Sequence, residues 1–339
     1  MTDAAMRAGT LSIGDYRLES GTVLPDVTVA CVATGKLNAN RDNCVLVTHG
    51  YTSGPAMIAD GGASASEGSW SVFIGEDRPF DPARHFIVCT NMLGSSFGTT
   101  GPGSIDPATG KPWGPRFPEI TVRDIVGVQH EFIKRLGVRR LKAVVGPSYG
   151  GFQALQWALD HPAMIEAAGC IVSNLTAPAG LSSERQRQRF ADVEGWNDGW
   201  HGSAPAVVAR MEEIRFETLN TYGMVQVLRD QGLSEAETAV RLREASRKWA
   251  HTFDPNSLIV LARAAETFDV RAAAHRIRVR LLFANSSTDV LFPPDPGIRQ
   301  VFTGLGDRFR WKVIDSNYGH LASGADWRKL TADLDWLMA

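Results

Sequence analysis

Val144-Val145-Gly146-Pro147-Ser148-Tyr149-Gly150-Gly151-Phe152-Gln153-Ala154-Leu155 runs from an apolar strand, through Gly-x-Ser-x-Gly, into the first turns of a helix. That order predicts a nucleophile elbow, a strand–turn–helix so sharp that the Ser148 hydroxyl is lifted above the sheet. Gly146 and Gly150 bring no β-carbon to strike the neighbouring backbone, which so tight a turn requires. The helix start behind the serine favours negative charge developing on a bound acyl oxygen. Phe152, Leu155 and Leu159 fall at helical spacing and predict an amphipathic helix.

Outward from the elbow, strand and helix patterns alternate. Residues 11–35 alternate weakly around Gly21, Pro25 and Gly35 and read as antiparallel strands, Val27 to Val32 among them. Cys44 to Gly50 and His85 to Asn91 are continuous apolar runs, the pattern of strands buried on both faces of a parallel sheet. Gly94 to Pro118 is rich in Gly, Pro, Ser and Thr and reads as a long loop; Asp60 to Gly68 reads as a flexible one. Thr121 is placed to cap a helix with Asp124 in its first turn, ending near Gly137 and feeding the strand Leu141 to Val145. Further strands are expected at Ala168 to Ser173, Val279 to Ala284 and Phe309 to Ile314, then a closing helix from about Asp326 to Met338. The alternation argues an α/β fold with a mostly parallel, doubly wound sheet.

Between Leu175 and His275 strand signals vanish, and charge and helix formers take over at Glu184 to Phe190, Val207 to Glu213 and Ser234 to Trp249. The expected organisation is a core of residues 1–174 and 276–339 with a helical insertion at 175–275. The insertion follows the strand after the nucleophile helix, on the side of the sheet whose loops carry the site. It should therefore act as a lid.

Composition excludes several classes. The 339-residue chain is 44% hydrophobic and 21% charged, an ordinary globular balance that removes disordered and fibrous alternatives. A net charge of -2 gives no electrostatic case for nucleic acid or an anionic membrane as partner. No apolar run approaches a membrane span, and Met1 to Leu11 lacks the apolar core of a secretion signal, so the cytoplasm is the expected compartment. Cys31, Cys44, Cys89 and Cys170 are far apart in apolar runs and read as buried free thiols rather than a metal or redox pair. No dinucleotide fingerprint, phosphate loop or metal-ligand cluster stands elsewhere, so no cofactor is expected.

A serine nucleophile needs a base, and the base an orienting group. On α/β-hydrolases these follow the serine in the order acid, then histidine. His320, in Tyr318-Gly319-His320-Leu321 between the last strand and the last helix, is the expected general base. His85, His130, His161, His201, His251 and His275 fall at a strand start or in helical segments, and His49 precedes the serine. Asp289, in a polar turn after the penultimate strand, is the expected acid, with Asp295 and Asp315 as alternatives. The oxyanion hole is assigned to the backbone N–H groups of Tyr149, next to the nucleophile, and of Tyr51 in His49-Gly50-Tyr51-Thr52-Ser53. His49 is expected to hold that loop.

The chain also resembles the homoserine O-acetyltransferase family of the α/β-hydrolase superfamily. The resemblance rests on Gly35 to Asn43, Asn91 to Pro102, Phe117 to Val126 with Gln129, Phe253 to Ser257, and the Asp289 to Pro293 turn. It implies an acyl intermediate on Ser148, a helical lid, a homodimer through that lid, and a small-molecule acyl ester or acyl-CoA as substrate. Three departures bear on the acceptor. Tyr149 stands where the family has Met, and Leu321 where it has an Asp after the histidine that helps hold an amino-acid acceptor. The family's Ser-Tyr-Arg-Ser motif is absent from Glu212 to Thr218, where Arg215 is the substitute on offer, out of register. Arg215 and Leu321 are thus the positions expected to set the acceptor. The sequence favours an acyl-serine enzyme that passes its acyl group to water, a carboxylic-ester hydrolase. An O-acyltransferase to homoserine or another hydroxyl is the alternative, and a non-catalytic binding protein on the same fold the alternative of another class.

Overall fold

A computed structural model describes residues 6–59 and 69–339. The loop expected at Asp60 to Gly68 lies outside the described residues. The central sheet is built from β1 (Arg7–Arg17), β2 (Val23–Thr34), β3 (Cys44–Thr48), β4 (Phe86–Thr90), then β7 (Leu141–Pro147), β8 (Ala167–Ile171), β9 (Arg280–Ser286) and β10 (Phe309–Ile314). The intervening β5 (Ile105–Asp106) and β6 (Lys111–Pro112) form a separate two-stranded hairpin. The loop expected over Gly94 to Pro118 is therefore not structureless: Trp113 N–H closes the hairpin on the Ser104 carbonyl.

The order across the sheet is β1-β2-β4-β3-β7-β8-β9-β10, and β2 alone runs against its neighbours. Between α1 (Val122–Arg135) and α2 (Tyr149–Asp160) on one face and α10 (Arg328–Met338) on the other, successive strand residues point to opposite cores. Leu46, Val144 and Leu281 meet Ile125, Phe132 and Leu155, while Val47, Val145 and Leu282 meet Leu330, Leu334 and Trp70. This two-sided burial is why β3, β4 and β7 are continuous apolar runs.

Thr121 and Asp124 close a capping box at the start of α1, each side chain accepting the other's backbone N–H. Helix α2 corrects the amphipathic reading, since Tyr149 to Ala158 are all buried. It is enclosed by β7 and β8 beneath, α1 beside and further helices above, and its buried Gln153 and Gln156 find hydrogen-bond partners in Gln129, the His49 carbonyl and Asp160.

Between β8 and β9 lie α3 (Ser183–Gln188), α4 (Pro205–Tyr222), α5 (Met224–Asp230), α6 (Glu235–Ala250) and α7 (Pro255–Glu266). Helices α5 and α7 have no counterpart among the helices read from the sequence. Helix α7 packs into the main core through Leu258 and Leu261, whereas α4, α5 and α6 enclose a small core of their own around Leu219, Met224, Leu228 and Leu242. Short α8 (Gly297–Val301) and α9 (Ala322–Ala325) complete the chain. Among the described residues no helix is long and apolar enough to cross a membrane.

Candidate active site

β3 and β7 are neighbours, yet the chain leaving β3 returns to β4 on one side and the chain leaving β7 goes to β8 on the other. Such a switch point leaves a crevice at the carboxyl ends of the strands. Ser148 stands on its rim, at φ 57° and ψ -124°, a left-handed conformation for a residue with a side chain. Its N–H is tied to the Ile171 carbonyl at 2.8 Å, and its own carbonyl takes the Gly151 N–H. A Cβ on Gly146 would lie 2.0 Å from the Thr48 carbonyl oxygen, and one on Gly150 2.2 Å from it. Glycine is what lets the elbow press against β3.

Asp289 and His320 come from the turns after β9 and β10. The Nδ1–H of His320 donates to Asp289 Oδ2 at 2.8 Å, and Asp289 Oδ1 accepts the N–H groups of Leu291 (2.9 Å) and Phe292 (3.3 Å). Both carboxylate oxygens are engaged and the side chain is fully buried. The two turns are laced together: Thr288 Oγ1 donates to the Ser316 carbonyl and accepts Gly319 N–H, and Ser287 Oγ accepts Ser316 N–H. A proton held on Nδ1 leaves Nε2 as the basic nitrogen. The imidazole packs against Tyr222 and Phe292, ring centres 4.8 and 5.6 Å away. His320 and Ser148 line one small pocket with Gly50, Tyr51, Pro147, Tyr222 and Leu321. The alternatives lie elsewhere: Asp295 accepts Gly297 N–H ahead of α8, and Asp315 offers its backbone carbonyl to Lys329.

The Gly50–Ser53 loop after β3 faces the start of α2. Among the described residues the amides of Tyr51 and Tyr149 donate to no backbone carbonyl. His49 holds the loop's base, its Nε2 accepting Met92 N–H at 3.1 Å while Nδ1 bonds the Gly50 carbonyl at 2.9 Å. From above, three helices grip the same loop. Arg215 of α4 donates to Thr52 Oγ1 at 2.7 Å, Trp249 of α6 donates to the Thr52 carbonyl at 3.0 Å, and the Tyr51 hydroxyl donates to the Leu258 carbonyl of α7. The Tyr149 hydroxyl reaches Leu261 of α7, and the two tyrosine rings stack at 6.1 Å. Burial pushes both phenols up, Tyr51 further by the tyrosines beside it, so both remain neutral donors.

A cleft of about 550 Å³ opens from Ser148. Its floor is apolar and aromatic, with Tyr149, Phe152, Leu258 and Phe292, and Arg185, Arg189 and Glu217 stand at its walls. Arg189 is paired with Glu217. Arg215 is fully buried beneath the Trp249 ring and meets the cleft through Thr52, not directly. Leu321, 2% exposed, joins the small core of α4, α5 and α6 while lining the Ser148 pocket. Sequence reasoning missed Thr52, Tyr222 and Trp249. Their roles come from contacts across 163 or more residues for the Thr52 clamp, which local pattern does not carry.

Cys44, Cys89 and Cys170 are buried and Cys31 half-buried, all free, with burial raising each thiol. Among the described residues no group of three His, Cys, Asp or Glu side chains is arranged to hold a metal ion.

A family model for the alpha/beta hydrolase fold matches residues 43–295. The homoserine O-acetyltransferase of Chlorobaculum tepidum is 36% identical over 331 residues, spanning 90% of this chain and 86% of that protein. Among solved structures, a homoserine O-acetyltransferase from Bacillus anthracis superposes with a TM-score of 0.80 at 22% identity, covering 98% of this chain and 97% of that one. An acetylester hydrolase from Corynebacterium glutamicum does so at the same TM-score and identity, covering 98% and 96%. At that identity the two structures speak for the fold, and the Chlorobaculum relative for the family. The chain belongs to the homoserine O-acetyltransferase family of the α/β-hydrolase fold, and it is an enzyme of acyl transfer or ester hydrolysis.

Proposed function

We propose that Ser148, His320 and Asp289 form a catalytic triad and that the enzyme hydrolyses small carboxylic esters, acetyl esters first. His320 Nε2 takes the Ser148 proton as Oγ bonds to the acyl carbon. The carbonyl electron pair moves onto oxygen, to which the Tyr51 and Tyr149 amides donate hydrogen bonds, each such donor being worth about 3 kcal/mol in the transition state. The bond to the alcohol oxygen breaks, and the imidazolium returns its proton to that oxygen. Water then gives a proton to His320 and bonds to the acyl carbon. Collapse restores the Ser148 hydroxyl and releases the acid. Asp289 holds the imidazole and stabilises its cation throughout.

Water as acceptor rests on one observation. Leu321, beside the base, is locked into an apolar cluster with Leu219, Met224 and Leu242 and offers nothing to the ammonium group of an amino-acid acceptor. Arg215 serves the site through Thr52. The Chlorobaculum relative favours a second reading, transfer of an acyl group from a thioester to homoserine or another hydroxyl. The 175–275 segment is proposed to be the lid, which decides between these readings by how well it excludes water. A homodimer through that segment belongs to the proposal, as does a cytoplasmic location, which suits four free cysteines.

The test is thiol release from acetyl-CoA with and without L-homoserine, beside hydrolysis of a simple acetyl ester, with Ser148→Ala as blank. Ser148-dependent ester cleavage without stimulation by homoserine is expected. Thiol release that rises with homoserine would overturn the hydrolase reading in favour of the transferase.

A further inference from the structure

Two stretches of the resemblance, Asn91 to Pro102 and Phe253 to Ser257, contribute no residue to the lining of the Ser148 cleft. They meet instead at a second cavity of about 370 Å³, whose wall also takes in His201, His251 and, from α4, Met211. The contact between them is polar: Asp254 N–H donates to Ser96 Oγ at 2.9 Å. Asp254 Oδ1 accepts Asn256 N–H at 2.8 Å, capping α7, and lies 3.5 Å from His201 Nε2. His201 Nδ1 accepts Ser203 N–H at 3.1 Å, which puts the ring proton on Nε2, facing Asp254. With its lone pair committed, this histidine cannot serve a neighbouring hydroxyl as base. The grouping of Ser, His and Asp is therefore not a second triad.

What it would bind follows from what is left over. Asp254 Oδ2 accepts no hydrogen bond among the described residues. The Ser95 hydroxyl has no partner although its residue is 2% exposed and lines the cavity. A buried hydroxyl without a partner is costly, and a rotation about χ1 gives it another direction in which to find one. Beside the two histidines His201 and His251, the lining holds one carboxylate, with Oδ2 left over, and no Lys or Arg, so the complement is cationic and rich in donors, with Met211 to cover its carbon atoms. We propose that this cavity binds a small hydroxylated primary amine, its ammonium group on the Asp254 carboxylate and a hydroxyl on Ser95. Met211 and Ile214 of α4 are less than one helical turn apart, the first lining this cavity and the second the Ser148 cleft. A ligand here would brace the helix that walls the catalytic cleft.

Serinol, a primary amine with two hydroxyls, is the probe, with glycerol and propionate as neutral and anionic controls, titrated calorimetrically into the full chain. Saturable serinol binding is expected, about tenfold weaker in Asp254→Asn, weaker in Ser95→Ala and unchanged in Ser148→Ala. Asn caps a helix as well as Asp does, so Asp254→Asn keeps the fold. Ser95→Ala gives up no internal hydrogen bond and should melt with the parent protein. No saturable serinol binding would overturn the proposal. So would equal binding in Asp254→Asn, equal binding of propionate, or loss of binding in Ser148→Ala, which would put the ligand in the catalytic cleft instead.

Discussion

Ser148 is held at positive φ because the tie of its N–H to Ile171 and the absence of β-carbons at Gly146 and Gly150 leave the chain no relaxed path. Conformations of this kind cost on the order of 1–3 kcal/mol and persist only where the surroundings over-determine them. Replacing Ser148 with Ala should abolish esterase activity, by about 10⁴-fold or more, and leave the strain in place. Ser148→Gly should be equally inactive yet more stable than Ser148→Ala by about 1 kcal/mol in urea melts, because glycine accepts the conformation freely. Equal stability of the two variants would mean that the elbow stores no strain. At Asp289 the expectation concerns the tautomer. Asn can present its N–H to His320 and hold the proton on the wrong nitrogen, so Asp289→Asn should lower kcat/KM by about 10⁴-fold while the melting temperature barely moves. A large fall in melting temperature would instead make Asp289 chiefly a structural pin of its turn.

At the scale of elements, the loop carrying Tyr51 is fixed less by its own strand than by the helices above it. Trp249 of α6 and Arg215 of α4 both end on Thr52. Trp249→Phe keeps a ring in the packing and removes the N–H; it should cost about 1 kcal/mol of stability and lower kcat with KM little changed. A rise in KM alone would show that the clamp shapes binding and not the oxyanion hole. Helices α1 and α2 carry another device where they meet: the rings of His130 and His161 stack at 3.9 Å. Burial first, and then the neighbouring His130, lowers His161 to about 4, and burial lowers His130 as well. A histidine whose folded value lies below its unfolded value near 6.5 binds protons better unfolded. Its contribution to stability is therefore intact above pH 6.5 and is lost as pH falls toward 4. The fall in melting temperature from pH 7 to pH 5 should be smaller in His161→Gln than in the parent, and an unchanged slope would remove the pair from the account of acid sensitivity. These elements differ in how legible they were. Helix α1 was plain because Thr121 and Asp124 announce its cap within four residues. Helix α2 was found but misjudged, because the alternation Phe152, Leu155, Leu159 does not reveal that α7 lies over its other side.

Across the whole molecule the meeting of Asp289 with His320 beside Ser148 was legible, since it follows from which strand ends lie beside which. What brings the cleft together was not, because the helices between β8 and β9 return onto a loop far earlier in the chain. Leu321 shows the difference. In the sequence it is the residue after His320; in the structure it is also part of the small core of α4, α5 and α6, so the histidine turn and the helical segment share packing. That core has few members beside the two large clusters that flank the sheet. Regions with little buried apolar surface open at lower free energy than the global core. Amides of α5 and α6 should therefore exchange with deuterium through a separate, cheaper opening than those of β3 and β7. The same measurement bears on the proposed homodimer. If the segment is its interface, association protects α6 by mass action. Exchange there should slow as protein concentration rises, and the chain should sediment at twice its 36.8 kDa mass. Exchange in α6 that ignores concentration, with a single species at the mass of one chain, would end the dimer reading and leave the segment as a lid that opens on its own.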